Sequence, residues 1–259
     1  MNLSVITINK DNAAGLKKTC LSVISQTYKD FEWIIIDGAS KDDSVSIIKQ
    51  YSDKVTYWIS EPDSGIYNAM NKGIKQARGD YLLFLNSGDY LLYPWTLEEV
   101  FNEIKICKQA DVYYSDAVEH THKVIISPEN ITLKLLINYM INHQNTLIRR
   151  ELFEHQLYNE KYKIKADWYF FLSEKLQHNI SFFKIKTIIA VYDTTGVSSL
   201  HEKKTRLETK NALKELKMPM NLIDILIPCI IKIKIIVKYL MPFGLYKLYY
   251  DKKHYKNKL

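Results

Sequence analysis

Glycine is scarce in this sequence, 8 residues of 259, and none of it falls in a phosphate-cradling pattern. After the first strand-like run the chain reads "NKDNAAG", which is neither G-x-G-x-x-G nor G-x-x-x-x-G-K-[ST] and so argues against a nicotinamide dehydrogenase and a P-loop kinase. Cysteine is scarcer still. Cys20, Cys107 and Cys229 are odd in number, far apart and set in apolar or helical contexts, as reduced core thiols are, and not spaced as a disulfide framework or zinc site. A reducing compartment is expected. Met1 leads straight into "LSVITI" without the basic and apolar regions of a secretory signal, so the expected location is cytoplasmic. Long apolar runs are missing too: "ILIPCII" at 225–231, the longest uncharged stretch of the C-terminal region, is far below the ~20 residues of a spanning helix.

What is there is an ordinary globular composition, 47% hydrophobic and 25% charged, with abundant tyrosine (19) and enough length to bury a true core. The formal net charge of +7 is unevenly spread, with Lys crowded into "IIKIKIIVKYL" and "YKLYYDKKHYKNKL". There Leu, Ile, Tyr and Phe alternate with Lys. That pattern fits a segment lying on an anionic membrane surface, and equally an amphipathic helix packed on its own core or against a second copy of the chain. With no internal repeat, low-complexity segment or Gly/Ser linker, residues 1–217 read as one domain and 218–259 as a basic extension.

The first half alternates short β-branched runs with helical patterns: "LSVITI" (3–8), a helix presenting Leu16, Cys20, Val23 and Ile24, "FEWIIID" (31–37), a helix in "SVSIIKQY", "KVTYWIS" (54–60), a helix presenting Ile66, Met70, Ile74 and Ala77, then "DYLLFL" (80–85). This rhythm predicts an open, mostly parallel sheet, which binds ligands at the carboxyl ends of its strands beside a switch in strand order. Pro94 fits the first turn of a helix running to about Ile106. "DVYYSD" (111–116) and "HQNTLIRR" (143–150) read as strands, "DWYFFLSEKL" (167–176) as a helix, "ISFFKIKTIIAVYD" (180–193) as extended, and "HEKKTRLETKNALKELK" (201–217) as a charged helix.

Three early strands end in, or soon reach, an acidic residue: Asp37, Asp63 and Asp89. Each alone reads as a turn former or N-cap. Gathered along one edge of a parallel sheet, they point to a binding site. A phosphorylated ligand held without a glycine-rich loop needs another source of positive charge, and a carboxylate-held divalent cation supplies it. In "NSGD", Gly88 would let the backbone approach such a ligand while Asp89 holds the metal.

"SVITINKDN", "LSVISQTYKDFEWIIIDGASKDDS", "SEPDSGIYNAMNKGIKQARGDYLLFLNSGD" and "KADWYFFL" occur in that order, and from about Leu3 to about Tyr192 the chain resembles the inverting glycosyltransferases of glycosyltransferase family 2. The closest likeness is to bacterial members that build surface polysaccharides. The resemblance implies a GT-A αβα sandwich, a nucleotide-sugar donor (UDP being the family's commoner nucleotide), Mg²⁺ or Mn²⁺, and a saccharide or lipid-linked acceptor. It implies that Thr7 and Asp37 hold the nucleoside, that Asp63 lines the donor pocket, that Asp89 binds the metal and that Asp167 is the catalytic base. The chain departs from the family at Asn86-Ser87-Gly88-Asp89, where many relatives have Asp-Ser-Asp-Asp. Only one carboxylate remains, beside Asn86 and Gly88 on the donor side, so metal affinity without donor should be weak.

Other residues keep two readings. Asp167 could simply N-cap its helix. His143 and Gln144 either face the acceptor or are structural, and Asp116 either faces the sugar or ends a strand. His120 and His122 lack a third ligand at a recognisable spacing and read as a solvated loop. A non-catalytic module binding RNA or another polyanion is a competing class, yet the tyrosines of "YYSD" and "WYFF" lie in apolar runs where core packing is the commoner explanation, and no nucleic-acid partner is expected. A degenerate transferase that binds nucleotide without turnover is the third.

Overall fold

The computed structural model describes residues 2–194 and 202–218. In chain order the elements are β1 (Leu3–Asn9), α1 (Ala13–Ile24), β2 (Phe31–Asp37), α2 (Ser44–Gln50), β3 (Tyr57–Ser60), α3 (Ile66–Gln76), β4 (Tyr81–Phe84), β5 (Tyr90–Leu91) and α4 (Thr96–Ile106). They continue with β6 (Val112–Tyr114), β7 (Ala117–Glu119), β8 (Val124–Ile125), α5 (Leu133–Leu136), a 3-10 turn (His143–Asn145), β9 (Thr146–Arg149), α6 (Leu152–His155), α7 (Ala166–His178), β10 (Phe182–Lys184), β11 (Ala190–Tyr192) and α8 (Glu202–Glu215).

Seven strands form the main sheet in the order β10-β6-β9-β4-β1-β2-β3. All neighbouring pairs are parallel except those made by β9, which runs antiparallel to both β6 and β4. The central strands β1, β2 and β4 are mostly apolar and buried because both faces are covered, as parallel sheets require. Leu3, Val5, Trp33, Ile35 and Leu83 pack under α1, α2 and α4, while the alternate residues Ile6, Ile8, Ile34, Ile36 and Phe84 pack under α3, α6 and α7. The result is an αβα sandwich. α7 is buried along most of its length, and its Phe170 ring stacks on Phe153 of α6 with centroids 4.5 Å apart.

β2 and β3 lie on one side of β1 and β4 on the other, so the strand order reverses between β1 and β4. Helices that cross to opposite faces leave a crevice there, at the carboxyl ends of the strands. The register aligns those ends, pairing Asn9 with Asp37 and Asp37 with Ser60.

Several boundaries differ from the sequence reading. α4 starts at Thr96 behind the cap residue Trp95, so Pro94 precedes the helix instead of opening it. The third strand is confined to 57–60, and residues 143–145 coil into a 3-10 turn before β9 begins. The extended segment 180–193 is split: β10 joins the main sheet and β11 a second sheet of order β5-β11-β7-β8, whose strands of two or three residues carry too little periodicity to be read. Cys20 and Cys107 are free thiols, and burial pushes the Cys20 thiol up to about 12. Cys229 and the extension beyond residue 218 lie outside the described residues. No helix among the described residues is long and apolar enough to cross a membrane.

Candidate active site

A cavity of about 680 Å³ opens in the crevice. One wall is the turn after β4. There the Asp89 amide donates to the Asn86 carbonyl (2.9 Å), and Gly88 adopts φ +106°, a conformation that L side chains rarely accept. A Cβ on residue 88 would also sit 3.0 Å from Asp193 Oδ2. Thr19 of α1 fastens the turn: its hydroxyl accepts from the Gly88 amide (3.0 Å) and donates to the Asp89 carbonyl (2.6 Å). Asn12, which caps α1 by accepting from the Gly15 amide, also reaches across to donate to the Ser87 carbonyl.

The turn aims the Asp89 carboxylate inward at 2% exposure. Oδ2 accepts from the Asn86 amide (2.9 Å) and Oδ1 from the Asp193 amide (2.8 Å). Desolvation outweighs these bonds and the nearby His143, and raises the carboxyl to about 6.

Asp167 is the second residue of α7, behind Lys165 at the cap position, and is 1% exposed. Its Oδ1 accepts from the Tyr67 hydroxyl (2.8 Å) and the Trp168 amide (2.8 Å), and its Oδ2 lies 3.0 Å from His143 Nδ1. Burial alone would raise this carboxyl, but the His143, Tyr67 and Trp168 contacts prevail and hold it below the ordinary value. It is therefore ionised at neutral pH. A proton on His143 Nδ1, donated to Asp167, leaves Nε2 free to accept from Asn86 Nδ2 at 3.3 Å. One imidazole thus connects Asp167 to the turn after β4.

Of the residues singled out in the sequence, Asp63, Asn86, Asp89, His143, Gln144 and Asp167 line the cavity. Gly88 shapes the turn behind it. Thr7 does not line it: the buried Thr7 hydroxyl accepts from the Trp33 indole (3.1 Å), and its chain neighbours Ile8 and Asn9 face the space instead. Asp37 stands behind the wall, accepting from Asn9 Nδ2, the Ser40 amide and hydroxyl, and the Ser60 hydroxyl. Those bonds overcome desolvation and lower its pKa. Asp116 is turned elsewhere; it pairs with Lys184 at 3.0 Å and accepts from the Ser127 amide.

The cavity also contains residues the sequence reading passed over. Tyr67 was visible only as part of a helix pattern, and Lys10 and Lys163 gave no signal. Asp193 did give one, since it follows β11 as the other acidic residues follow their strands. The tyrosines of "YYSD" and "WYFF", namely Tyr113, Tyr114 and Tyr169, are buried.

The donors facing the cavity near the turn are oxygens: the Asp89 and Asp193 carboxylates and Asn86 Oδ1, which is buried without a hydrogen-bond partner. An orphaned amide oxygen beside a desolvated carboxylate fits a hard divalent cation such as Mg²⁺ or Mn²⁺. Lys10 and Lys163 add positive charge to the lining.

The three-layer sandwich with an acid-lined crevice is that of the GT-A-like glycosyltransferases. A solved structure of Staphylococcus aureus TarS 1–349 superposes with a TM-score of 0.67 at 18% identity, covering 85% of this chain and 66% of that one. Glucosyl-3-phosphoglycerate synthase from Mycobacterium tuberculosis, solved with Mn²⁺, UDP and glucosyl-3-phosphoglycerate, gives a TM-score of 0.59 at 12% identity over 84% of this chain and 81% of that one. In sequence, a PGL/p-HBAD biosynthesis glycosyltransferase of Mycobacterium bovis is 31% identical over 196 residues, 74% of this chain and 73% of its own length. Residues 4–157 match the model of the family described as Glycosyl transferase family 2. The chain belongs to that family and is a glycosyltransferase.

Proposed function

We propose that the protein moves a sugar, with inversion, from a nucleotide-sugar, a UDP-sugar first, to a saccharide or lipid-linked acceptor in the building of a bacterial surface polysaccharide. The observation that carries this reading is the pair of buried carboxylates in one cavity, Asp89 raised and Asp167 lowered in pKa, joined through Asn86 and His143. Two carboxyls pushed in opposite directions mark separate tasks. The named relatives agree in kind: one acts in PGL/p-HBAD biosynthesis, and TarS has been solved with UDP and with UDP-GlcNAc.

In an inverting displacement the acceptor oxygen bonds to the anomeric carbon as the bond from that carbon to the donor diphosphate breaks, its electron pair leaving with the diphosphate. The acceptor proton goes to Asp167, which is ionised and oriented by Tyr67 and His143. A divalent cation, when bound, supplies Lewis-acid stabilisation of the departing diphosphate. Asp89, Asp193 and Asn86 would hold it. Lys10 and Lys163 favour the anionic half of the donor, and Asp63, fixed by accepting from the Gly65 amide (3.0 Å), borders the donor side. Asp37, through its bond to Asn9, positions the end of β1 under the nucleoside. Gln144 belongs to the acceptor side together with His143.

The basic extension 218–259, described only at Met218, is proposed to adsorb to the inner face of the membrane where a lipid-linked acceptor is presented, with self-association as the other use of that surface. Sedimentation of the full chain and of a version ending at Lys217 with anionic liposomes tests this; equal binding removes the extension as an anchor. The transfer itself is tested by scanning nucleotide-sugars for released nucleoside diphosphate with and without Mn²⁺, beside calorimetric nucleotide titrations. Metal-enhanced binding with turnover is expected. Binding without turnover on any donor would leave a degenerate transferase, and no nucleotide response would overturn the reading.

A further inference from the structure

A second constellation lies at the other end of α7. Eleven positions separate Asp167 from His178, roughly 16 Å along a helix axis, so this site does not share the catalytic crevice. Glu174 and His178 stand four residues apart on one face of α7, and His155, the last residue of α6, meets them from the side. Their ligand atoms all lie within 4.8 Å of one another.

Glu174 is the anomaly. Its carboxylate is 0% exposed, yet its partners in the structure are His155 Nδ1 at 2.9 Å on Oε2 and Gln156 Nε2 at 2.9 Å on Oε1. Lys175, next along the helix, turns away and donates to the Ile180 carbonyl. A buried carboxylate calls for positive charge beside it. His155 and His178 stack with centroids 4.1 Å apart and planes at 25°, so placing a proton's charge on both rings is unfavourable. A cation shared by two neutral imidazoles and the carboxylate removes the difficulty.

We propose that His155, Glu174 and His178 form a transition-metal site, best suited to Zn²⁺, that clamps the end of α6 to the last turns of α7. Imidazole nitrogen selects zinc-like ions over Mg²⁺ or Mn²⁺. Bonds of about 2.0–2.2 Å in a tetrahedral arrangement place donor atoms ~3.3 Å apart, so the side chains must close by up to ~1.5 Å from the 4.8 Å that bounds them here, which leaves a fourth position for water. Gln156 is the outer partner, fixing Oε1 so that Oε2 faces the ion. Both histidines are exposed, which gives the ion a route in.

The test is a titration of the full chain with Zn²⁺ against a chromophoric chelator, with Co²⁺ as a spectroscopic probe, in wild type, H178Q, E174Q and D89N. Wild type should bind Zn²⁺ more tightly than Mn²⁺, show the visible absorption of tetrahedral Co²⁺ and unfold several degrees higher with Zn²⁺ present. H178Q, at an exposed helix end where folding is safe, should weaken Zn²⁺ binding at least tenfold and leave donor turnover unchanged. D89N should retain the site. Affinity should fall as pH drops, because protons compete with the ion for the imidazole nitrogens. Equal Zn²⁺ affinity in wild type and H178Q, or loss confined to D89N, would overturn the proposal, whether or not E174Q folds.

Discussion

Replacing Asp89 by Asn should make the metal-free protein more stable at neutral pH while it removes metal-dependent donor binding. The buried carboxyl titrates at about 6 in the folded chain against an ordinary 3.8. A carboxyl raised in this way supports the fold fully below the unfolded value, and that support is lost as pH rises through about 6. At 1.36 kcal/mol per pH unit, the fully ionised group opposes folding by about 3 kcal/mol. Asn carries no charge, but its single oxygen serves only one of the Asn86 and Asp193 amides that Asp89 accepts from, so about 1 kcal/mol is given back. The variant should therefore gain about 2 kcal/mol at pH 7.5. Integrating between the two pKa values, roughly 2 kcal/mol of the gap between variant and wild type should develop from pH 4.5 to 7.5. Urea unfolding of both proteins with EDTA, at those two pH values, measures it. A gap of the same size at both would refute the desolvated-carboxylate account.

Asp167→Asn preserves the side-chain shape and should lower kcat by about 10²–10⁴ with donor affinity unchanged; turnover near wild type would remove it as the base. His143→Gln breaks the connection between Asp167 and Asn86 and should reduce kcat more than it raises donor KM, with the acid limb of the pH profile displaced. Asp193→Asn keeps the backbone amide that Asp89 needs but withdraws a carboxylate from the cavity, so Mn²⁺ affinity read by calorimetry should fall at least about tenfold, the lower end of what even an outer partner's loss costs. Gly88→Ala places a Cβ against Asp193 at φ +106°, and should both destabilise the protein by about 1–3 kcal/mol and weaken Mn²⁺ binding.

Legibility in the sequence followed the strength of the local signal. Strand β2 was readable to the residue because Phe31, Trp33 and three consecutive isoleucines, Ile34–Ile36, are closed by Asp37. The main sheet followed from βα alternation, as did the crevice at its carboxyl edge. Strands of two or three residues, such as β5 and β8, have no period to detect, and so the second sheet was invisible. In the site, the acidic strand ends led to Asp63 and Asp89, both of which line the cavity. Of the two readings kept for Asp116, the structure shows the strand end: its charge is answered by Lys184 from a strand about seventy residues away, a partner no local rule supplies. Asp37 illustrates the intermediate case: the strand ends where expected, yet Ser40 and Ser60 absorb its carboxylate. Tyr67 could not be read because its role depends on α7 meeting the start of α3 across the crevice.

Strand β9 runs against its neighbours, and this reversal determines which part of its segment can take part in the chemistry. For β1 and β4 the useful side chains come after the strand; for β9 it is the preceding residues, His143 and Gln144, that arrive at the same rim. A backward strand lets the cavity draw on chain that enters the sheet there, so residues 137–142, which precede the His143 bonds to Asp167 and Asn86, can vary with less disturbance of the turn after β4.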